Sequence, residues 1–160
     1  MTHFIELVEK LFILCGDKQI KIRVAESCTG GQLSSFLTKL PGSSKYFDCG
    51  IVAYSNTAKH LLLNIPLEVI DRYGAVSAET ALLMAERLSV INQGQCVSIA
   101  TTGICGPKVR QSDDLGVVYI AIHYNHKTCV ERFQFEEDRQ GNIDLAVKAA
   151  LNMAIQALTA

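Results

Sequence analysis

Short apolar segments that each run into a turn of glycine, serine or threonine, with amphipathic stretches between them, constrain this chain more than any other property. Ile20 to Ala25 (IKIRVA) alternates apolar and basic side chains as a half-buried strand does, and ESCTGG at 26–31 then breaks the pattern before a helix through Gln32 to Leu40. Cys49 to Tyr54 (CGIVAY) reads as a second strand, followed across a turn by helical pieces over 56–64 and 66–73 that Pro66 separates. Segments 96–101, 116–122 and 128–135 read as three further strands. Helices are expected over 2–16, where Phe4, Leu7, Val8, Leu11, Phe12 and Cys15 share one face and Gly16-Asp17 supplies a stop, over 77–91 from a start at Ser77, Glu79 and Thr80, and over 141–158. Asn125-His126 is either a two-residue hairpin turn or part of a longer loop. The order α β α β α α β β β α mixes crossover connections with a closing run of adjacent strands. It predicts an α/β protein, a three-layer α/β/α sandwich around a mixed sheet.

Composition agrees with a core-rich chain. Hydrophobic residues make up 49% of the 160 and charged residues 19%, with no low-complexity tract, so one globular domain over residues 1–160 is expected. No apolar run is long enough for a membrane span, and MTHFIELVEKLF carries two glutamates and no small-residue cleavage site, so a cytoplasmic location is expected. A net charge of −1 with dispersed Lys and Arg gives no electrostatic reason to bind nucleic acid or an anionic membrane; an anionic ligand has to be caught locally. The six cysteines lie mostly in apolar or strand-like stretches and read as reduced, structural thiols. There is no CxxC pair, and His123 with His126 is a two-ligand fragment, so no metal is expected.

Three strand ends carry candidate chemistry. Ser27 stands at the mouth of a turn whose following helix presents unpaired backbone amides, an arrangement suited to phosphate or a developing oxyanion, with Gly30 and Gly31 allowing close approach. The alternative is that Ser27 or Thr29 only caps that helix. Lys59, after Tyr54-Ser55-Asn56-Thr57-Ala58, is placed to reach the same sheet edge, where a desolvated lysine with lowered pKa could take a serine proton. Against this stand a solvated Lys59 and a core Tyr54. Thr102, Gly103 and Gly106 follow a further strand and either join the pocket or form a tight turn with Pro107. Cys28 is a rival nucleophile, and His60 suggests a Ser-His pair for which no orienting acid is evident.

Taken together, AESCTGG at 25–31, YSNTAK at 54–59, GAVSAETA at 74–81 and TGICGP at 102–107 resemble the CinA C-terminal domain family, in order and over nearly the whole chain. Stand-alone members are nicotinamide mononucleotide amidohydrolases. The resemblance implies a metal- and cofactor-free hydrolysis of the nicotinamide carboxamide of a small-molecule nucleotide, a homodimer, Ser27 as nucleophile, Lys59 as general base and Tyr54 as a helper in the proton network. It further implies Ser44 near the site in a Gly-Ser-Ser turn, and Thr102, Gly103, Gly106 and the amides of Thr29, Gly30 and Gly31 holding substrate and oxyanion.

Two departures matter. Where members have a glycine pair and a Lys-Pro-Val-Gly turn after GIAGP, this chain reads KVRQSDDLG at 108–116. Where they have Gly-Asp-Arg and a further arginine, it has Glu136-Glu137-Asp138-Arg139 and then Ile143. Loss of an arginine that contacts phosphate removes roughly 1.5–3 kcal/mol of charge-assisted hydrogen bonding, unless Arg110 or Arg139 compensates. The altered loop also leaves open a different amide substrate, or a homologue that binds a nucleotide or protein partner without turnover.

Overall fold

A computed structural model describes residues 2–91, 93–107 and 114–160; Arg110 and residues 108–113 of the altered loop lie outside these. Its elements are α1 (Thr2–Lys18), β1 (Lys21–Glu26), α2 (Gln32–Leu37), a 3₁₀ turn (Ser43–Lys45), β2 (Phe47–Val52), α3 (Asn56–Leu63), α4 (Leu67–Tyr73), α5 (Ala78–Ser89), β3 (Cys96–Gly103), β4 (Val117–Tyr124), β5 (Lys127–Gln134) and α6 (Arg139–Thr159). The strands form one five-stranded sheet in the order β2-β1-β3-β4-β5. β1 runs parallel to both β2 and β3, whereas β3, β4 and β5 are antiparallel. This is the expected mixed α/β sandwich, and β3 is the seam between its two halves.

Strand alternation assigns the two faces different residues. Val24, Ile99 and Ile122 lie in register on the face covered by α1, α2 and α6, where they join Leu11, Leu33, Val147 and Leu151 in the larger core. On the opposite face Ala25, Ala100 and Ala121 form a row across β1, β3 and β4, and the small side chains let Ala81, Met84 and Ala85 of α5 pack against the sheet. No helix among the described residues is long and apolar enough to cross a membrane.

Several boundaries differ from the sequence reading for identifiable reasons. Helix α1 continues through Gly16-Asp17 because its stop is Gln19, which turns left-handed (φ 54°) while the amide of Ile20 reaches back to the Cys15 carbonyl at 3.0 Å. Helix α2 ends at Leu37 rather than Leu40, at a point where the Thr38 hydroxyl bonds back to the Ser34 and Ser35 carbonyls. Strand β2 stops at Val52, two residues short of Tyr54, and β3 continues to Gly103, which pairs with Val118. Helix α6 begins at Arg139 because the Asp138 carboxylate caps the Gly141 amide at 2.8 Å. The expected Ser77 cap of α5 is present, accepting from the Thr80 amide. Asn125 and His126, at φ 50° and 62°, form the two-residue hairpin between β4 and β5.

One charged residue ties the parallel half together. Arg23, in the middle of β1, is 1% exposed; its Nε donates to Asp48 of β2 at 2.7 Å and its Nη1 to the Leu88 and Ser89 carbonyls at 3.1 and 2.9 Å. The guanidinium therefore joins the edge strand to the C-terminal end of α5, where a cation is favoured by the helix dipole. Replacing it by an apolar residue of similar length removes these three hydrogen bonds. Arg23→Met is expected to lower the unfolding free energy by about 3 kcal/mol, read as a lower urea midpoint.

Candidate active site

At the C-terminal end of β1 the chain turns sharply into α2, and the residue that shapes this turn is Glu26. Its side chain is fully buried and accepts from the Thr29 hydroxyl (2.6 Å), the amides of Gly31 (3.1 Å), Leu33 (3.0 Å) and Ser34 (2.8 Å), and the Ser34 hydroxyl (2.7 Å). Gly30 and Gly31 supply the left-handed conformations (φ 56° and 98°) that fold these amides over the carboxylate. The amide of Gly30 bonds the Ser27 carbonyl at 3.1 Å and that of Gln32 bonds the Thr29 carbonyl at 2.9 Å. The start of α2 is thus occupied by the protein's own anion, and the expected use of the Gly30 and Gly31 amides for substrate is corrected. The Thr29 hydroxyl is structural, shared between Glu26 and Thr101 (2.8 Å).

The turn sets Ser27 at the end of the strand, with its amide tied to the Thr101 carbonyl at 2.9 Å and its side chain nearly buried. Facing it is Lys59, carried by the first turns of α3, which Ser55 caps through the Ala58 amide at 3.0 Å. Lys59 is 1% exposed, and Nζ lies 2.8 Å from Ser27 Oγ, 3.1 Å from the Ala53 carbonyl and 3.2 Å from the Tyr54 carbonyl. Among the described residues no carboxylate forms an ion pair with it. Burial therefore pushes its pKa below the ordinary lysine value, opposed only by the Cys28 thiol. As placed, Nζ donates to Ser27 Oγ and to the two carbonyls; in a neutral amine two N–H groups would suffice for the carbonyls and leave the lone pair for the Ser27 hydroxyl. That is the arrangement a serine needs to become a nucleophile. The solvated Lys59 and helix-cap Ser27 alternatives are set aside by this contact.

A depression of about 320 Å³ opens beside the pair, lined by Cys28, Tyr54, Gly103, Cys105, Gly106 and Arg139 among others. Tyr54 is an exposed wall residue, not a core residue, and its hydroxyl accepts from Arg139 Nη2 at 3.0 Å rather than joining Ser27 and Lys59. Arg139 also donates to the Gly106 carbonyl, so one guanidinium bridges two walls. Gly103 is required there, since a Cβ would lie 2.6 Å from the Val117 carbonyl. Thr102 is corrected: its buried hydroxyl donates to the Ala75 carbonyl at 2.7 Å, anchoring the loop before α5 instead of facing the depression.

Ser44 is also corrected. It precedes β2, and its carbonyl accepts from Lys21 Nζ at the start of β1, the opposite end of that strand from Ser27. His60 forms no pair with Ser27, because its Nδ1 is held by the Ile65 carbonyl at 2.9 Å. Cys28 is a poor nucleophile, its thiol pKa raised well above the ordinary value by the hydrogen bond with Cys105 and by burial.

The CinA C-terminal domain family matches residues 5–158. The chain belongs to that family. A competence-damage inducible protein of Caldicellulosiruptor bescii is 39% identical over 150 residues, covering 92% of this chain and 36% of its own length. A CinA-like protein of Amoebophilus asiaticus is 40% identical over 134 residues, 82% of this chain and 32% of its own. The chain spans about a third of the length of these curated relatives. Among solved structures, a CinA superfamily protein from Enterobacter cloacae superposes with a TM-score of 0.91 at 33% identity, covering 97% of this chain and 92% of that one. The competence/damage inducible protein CihA of Agrobacterium tumefaciens gives 0.91 at 31% identity, covering 98% and 96%.

Within this CinA domain, the position expected to carry a second arginine holds Ile143, which packs against the larger core. The neighbouring Asn142 is buried and fastens α6 to the depression, donating to the Cys105 carbonyl at 2.9 Å and accepting from the Glu137 amide at 3.0 Å. Neither Asn142 nor Glu26 was marked by the sequence as a site residue; for Glu26 the signal was available as a carboxylate at the end of an otherwise apolar strand, directly before a turn and a helix start. Glu26→Gln replaces one acceptor oxygen with a donor facing donors. It is expected to lower the unfolding free energy by about 3 kcal/mol, measured by urea denaturation, without altering any group in contact with Lys59.

Proposed function

We propose that this CinA domain hydrolyses the carboxamide of nicotinamide mononucleotide to nicotinate mononucleotide and ammonia. The observation that carries this reading is the buried Lys59 amine 2.8 Å from Ser27 Oγ and held by two carbonyls. Ser27 attacks the carboxamide carbon as Lys59 takes its proton; the proton passes to the departing nitrogen, ammonia leaves, and water, deprotonated by Lys59, releases the acid from the acyl-enzyme. The amides of Gly30, Gly31 and Gln32 are already committed, so the oxyanion has to be met by donors other than these. Arg139, at the rim, is the cation available to a substrate phosphate.

Ser27→Ala and Lys59→Ala are each expected to reduce ammonia release from nicotinamide mononucleotide by about 10²-fold or more. The rate depends on the neutral fraction of Lys59, so it falls as pH drops through the lysine's pKa. The expected profile is an ascending limb with a midpoint below that of an ordinary lysine. Turnover that persists in Lys59→Ala, or has no such limb, rejects the pair as the catalytic centre.

Arg139→Ala is expected to raise KM for the mononucleotide about tenfold, with a smaller effect on nicotinamide riboside, which lacks the phosphate. Ile143 favours a second reading, hydrolysis of a different amide through the same pair, because the arginine lost there is not replaced by a polar group. A panel of nucleotide and non-nucleotide amides separates the two by which substrate has the higher kcat/KM.

A further inference from the structure

One buried side chain holds both ends of the bridge that Arg139 makes across the depression. Asn142, 1% exposed, accepts at Oδ1 from the Glu137 amide at 3.0 Å and donates from Nδ2 to the Cys105 carbonyl at 2.9 Å. Glu137 stands two residues before Arg139, and Cys105 directly before Gly106, whose carbonyl accepts from Arg139. The origin of the arginine and its landing point are therefore fastened to a single amide group.

The local chain gives this contact a direction. Asp138 caps α6, so Glu137 precedes the cap and Asn142 is the fourth helical residue. Those are the two positions that an apolar pair occupies in a hydrophobic staple, where the contact fixes the angle at which a chain enters its helix. Here a hydrogen bond from main chain to side-chain amide takes its place. Arg139 is the first helical residue, where the helix dipole disfavours a cation, and among the described residues no carboxylate forms an ion pair with it. Its charge does not serve its own helix and is held out over the depression by Gly106 and the Tyr54 hydroxyl. On the opposite wall, main-chain bonds tie Ile104 to Gly116 and Val117. The next two carbonyls, those of Cys105 and Gly106, accept from Asn142 and Arg139 of α6.

We propose that Asn142 is a positioning residue for phosphate recognition: it sets where the Arg139 guanidinium stands, and so how strongly a phosphorylated amide is preferred over its unphosphorylated counterpart. The inference deepens the proposed function and rests on it. Asn142 is buried and acts through Arg139. Removing its side-chain amide frees the turn that carries Gly106 and the entry into α6 together, so the guanidinium loses both the fixed base and the fixed acceptor that order it before a ligand arrives. The ordering then has to be supplied by binding, which weakens it. Ser27 and Lys59 stand on other elements and, among the described residues, share no hydrogen bond with Asn142. The effect therefore falls on KM for the phosphorylated substrate and not on the chemical step.

The test is a double-mutant cycle between Asn142 and Arg139, using two neutral replacements that suit a helix interior, Asn142→Ala and Asn142→Leu, the second retaining side-chain volume. Urea midpoints establish that each variant is folded under assay conditions. Each is expected to raise KM for nicotinamide mononucleotide about fivefold and to leave kcat within about twofold. KM for nicotinamide riboside and the midpoint of the ascending pH limb are expected to stay unchanged. Added to Arg139→Ala, either replacement is expected to raise KM no further. Equal losses on both substrates, a fall in kcat, or an effect that adds in full to that of Arg139→Ala overturns the positioning role. If neither amide is hydrolysed by the unmodified protein, the proposed function fails, and the cycle is read instead from calorimetric binding of nicotinamide mononucleotide to the same set of proteins. A Kd weakened about fivefold by Asn142→Ala, and unchanged by it once Arg139 is alanine, sustains the inference. Additive changes, or no binding to the unmodified protein, overturn it.

Discussion

Glu26 carries its charge into the interior at the point where β1 gives way to α2, and the two hydroxyls and three amides that converge on it define that corner of the molecule. A buried carboxylate without such partners would cost several kcal/mol, so the carboxylate and the turn stabilise each other only together. The register of α2, the left-handed glycines and the position of Ser27 all follow from that requirement. So does a restriction on chemistry, because a helix start already neutralised by an internal anion has little positive potential left for a ligand.

The positive groups of the site consequently come from side chains on other elements. Lys59 arrives from α3 into a space that offers it three oxygens and, among the described residues, no counter-charge. Adding a carboxylate there would hold the amine protonated and remove its capacity as a base. The backbone carbonyls of Ala53 and Tyr54 orient it without doing so. Arg139 arrives from the first turn of α6, fixed by Gly106 and Tyr54, and keeps its charge at the rim. A buried amine without an anion thus lies behind the depression, and a cation with neutral partners stands in its wall.

Much of this arrangement is legible in the chain itself. Alternation in IKIRVA, the cap at Ser77 and the Asn125-His126 turn express local rules of strand, helix and hairpin, and the structure follows them. Ser27 and Lys59 could be paired because both stand just past the ends of strands that turn out to be parallel neighbours. What was not legible depends on long-range register. Nothing local shows that Glu26 points under its own turn, that Ser44 falls at the far end of β1, or that Thr102 belongs to a strand and faces the loop before α5. Arg23 reads as the polar face of an alternating strand and is instead buried, because α5 covers that face and its terminal carbonyls accept the charge.

The seam at β3 has a consequence for the order in which the molecule assembles. Its antiparallel side closes on β4 and β5, the latter pair joined through two turn residues, so the loop-closure cost of that hairpin is small. Its parallel side must recruit β1 from the other half of the chain, across α2, the 3₁₀ turn, β2, α3, α4 and α5, before that pairing is gained. The hairpin with α6 can therefore gather early, while the strand that delivers Ser27 docks late and detaches first when the sheet opens from its β2 edge. The Ser27–Lys59 contact is then a sensitive report of the last stage of folding: it is lost while much of the secondary structure remains.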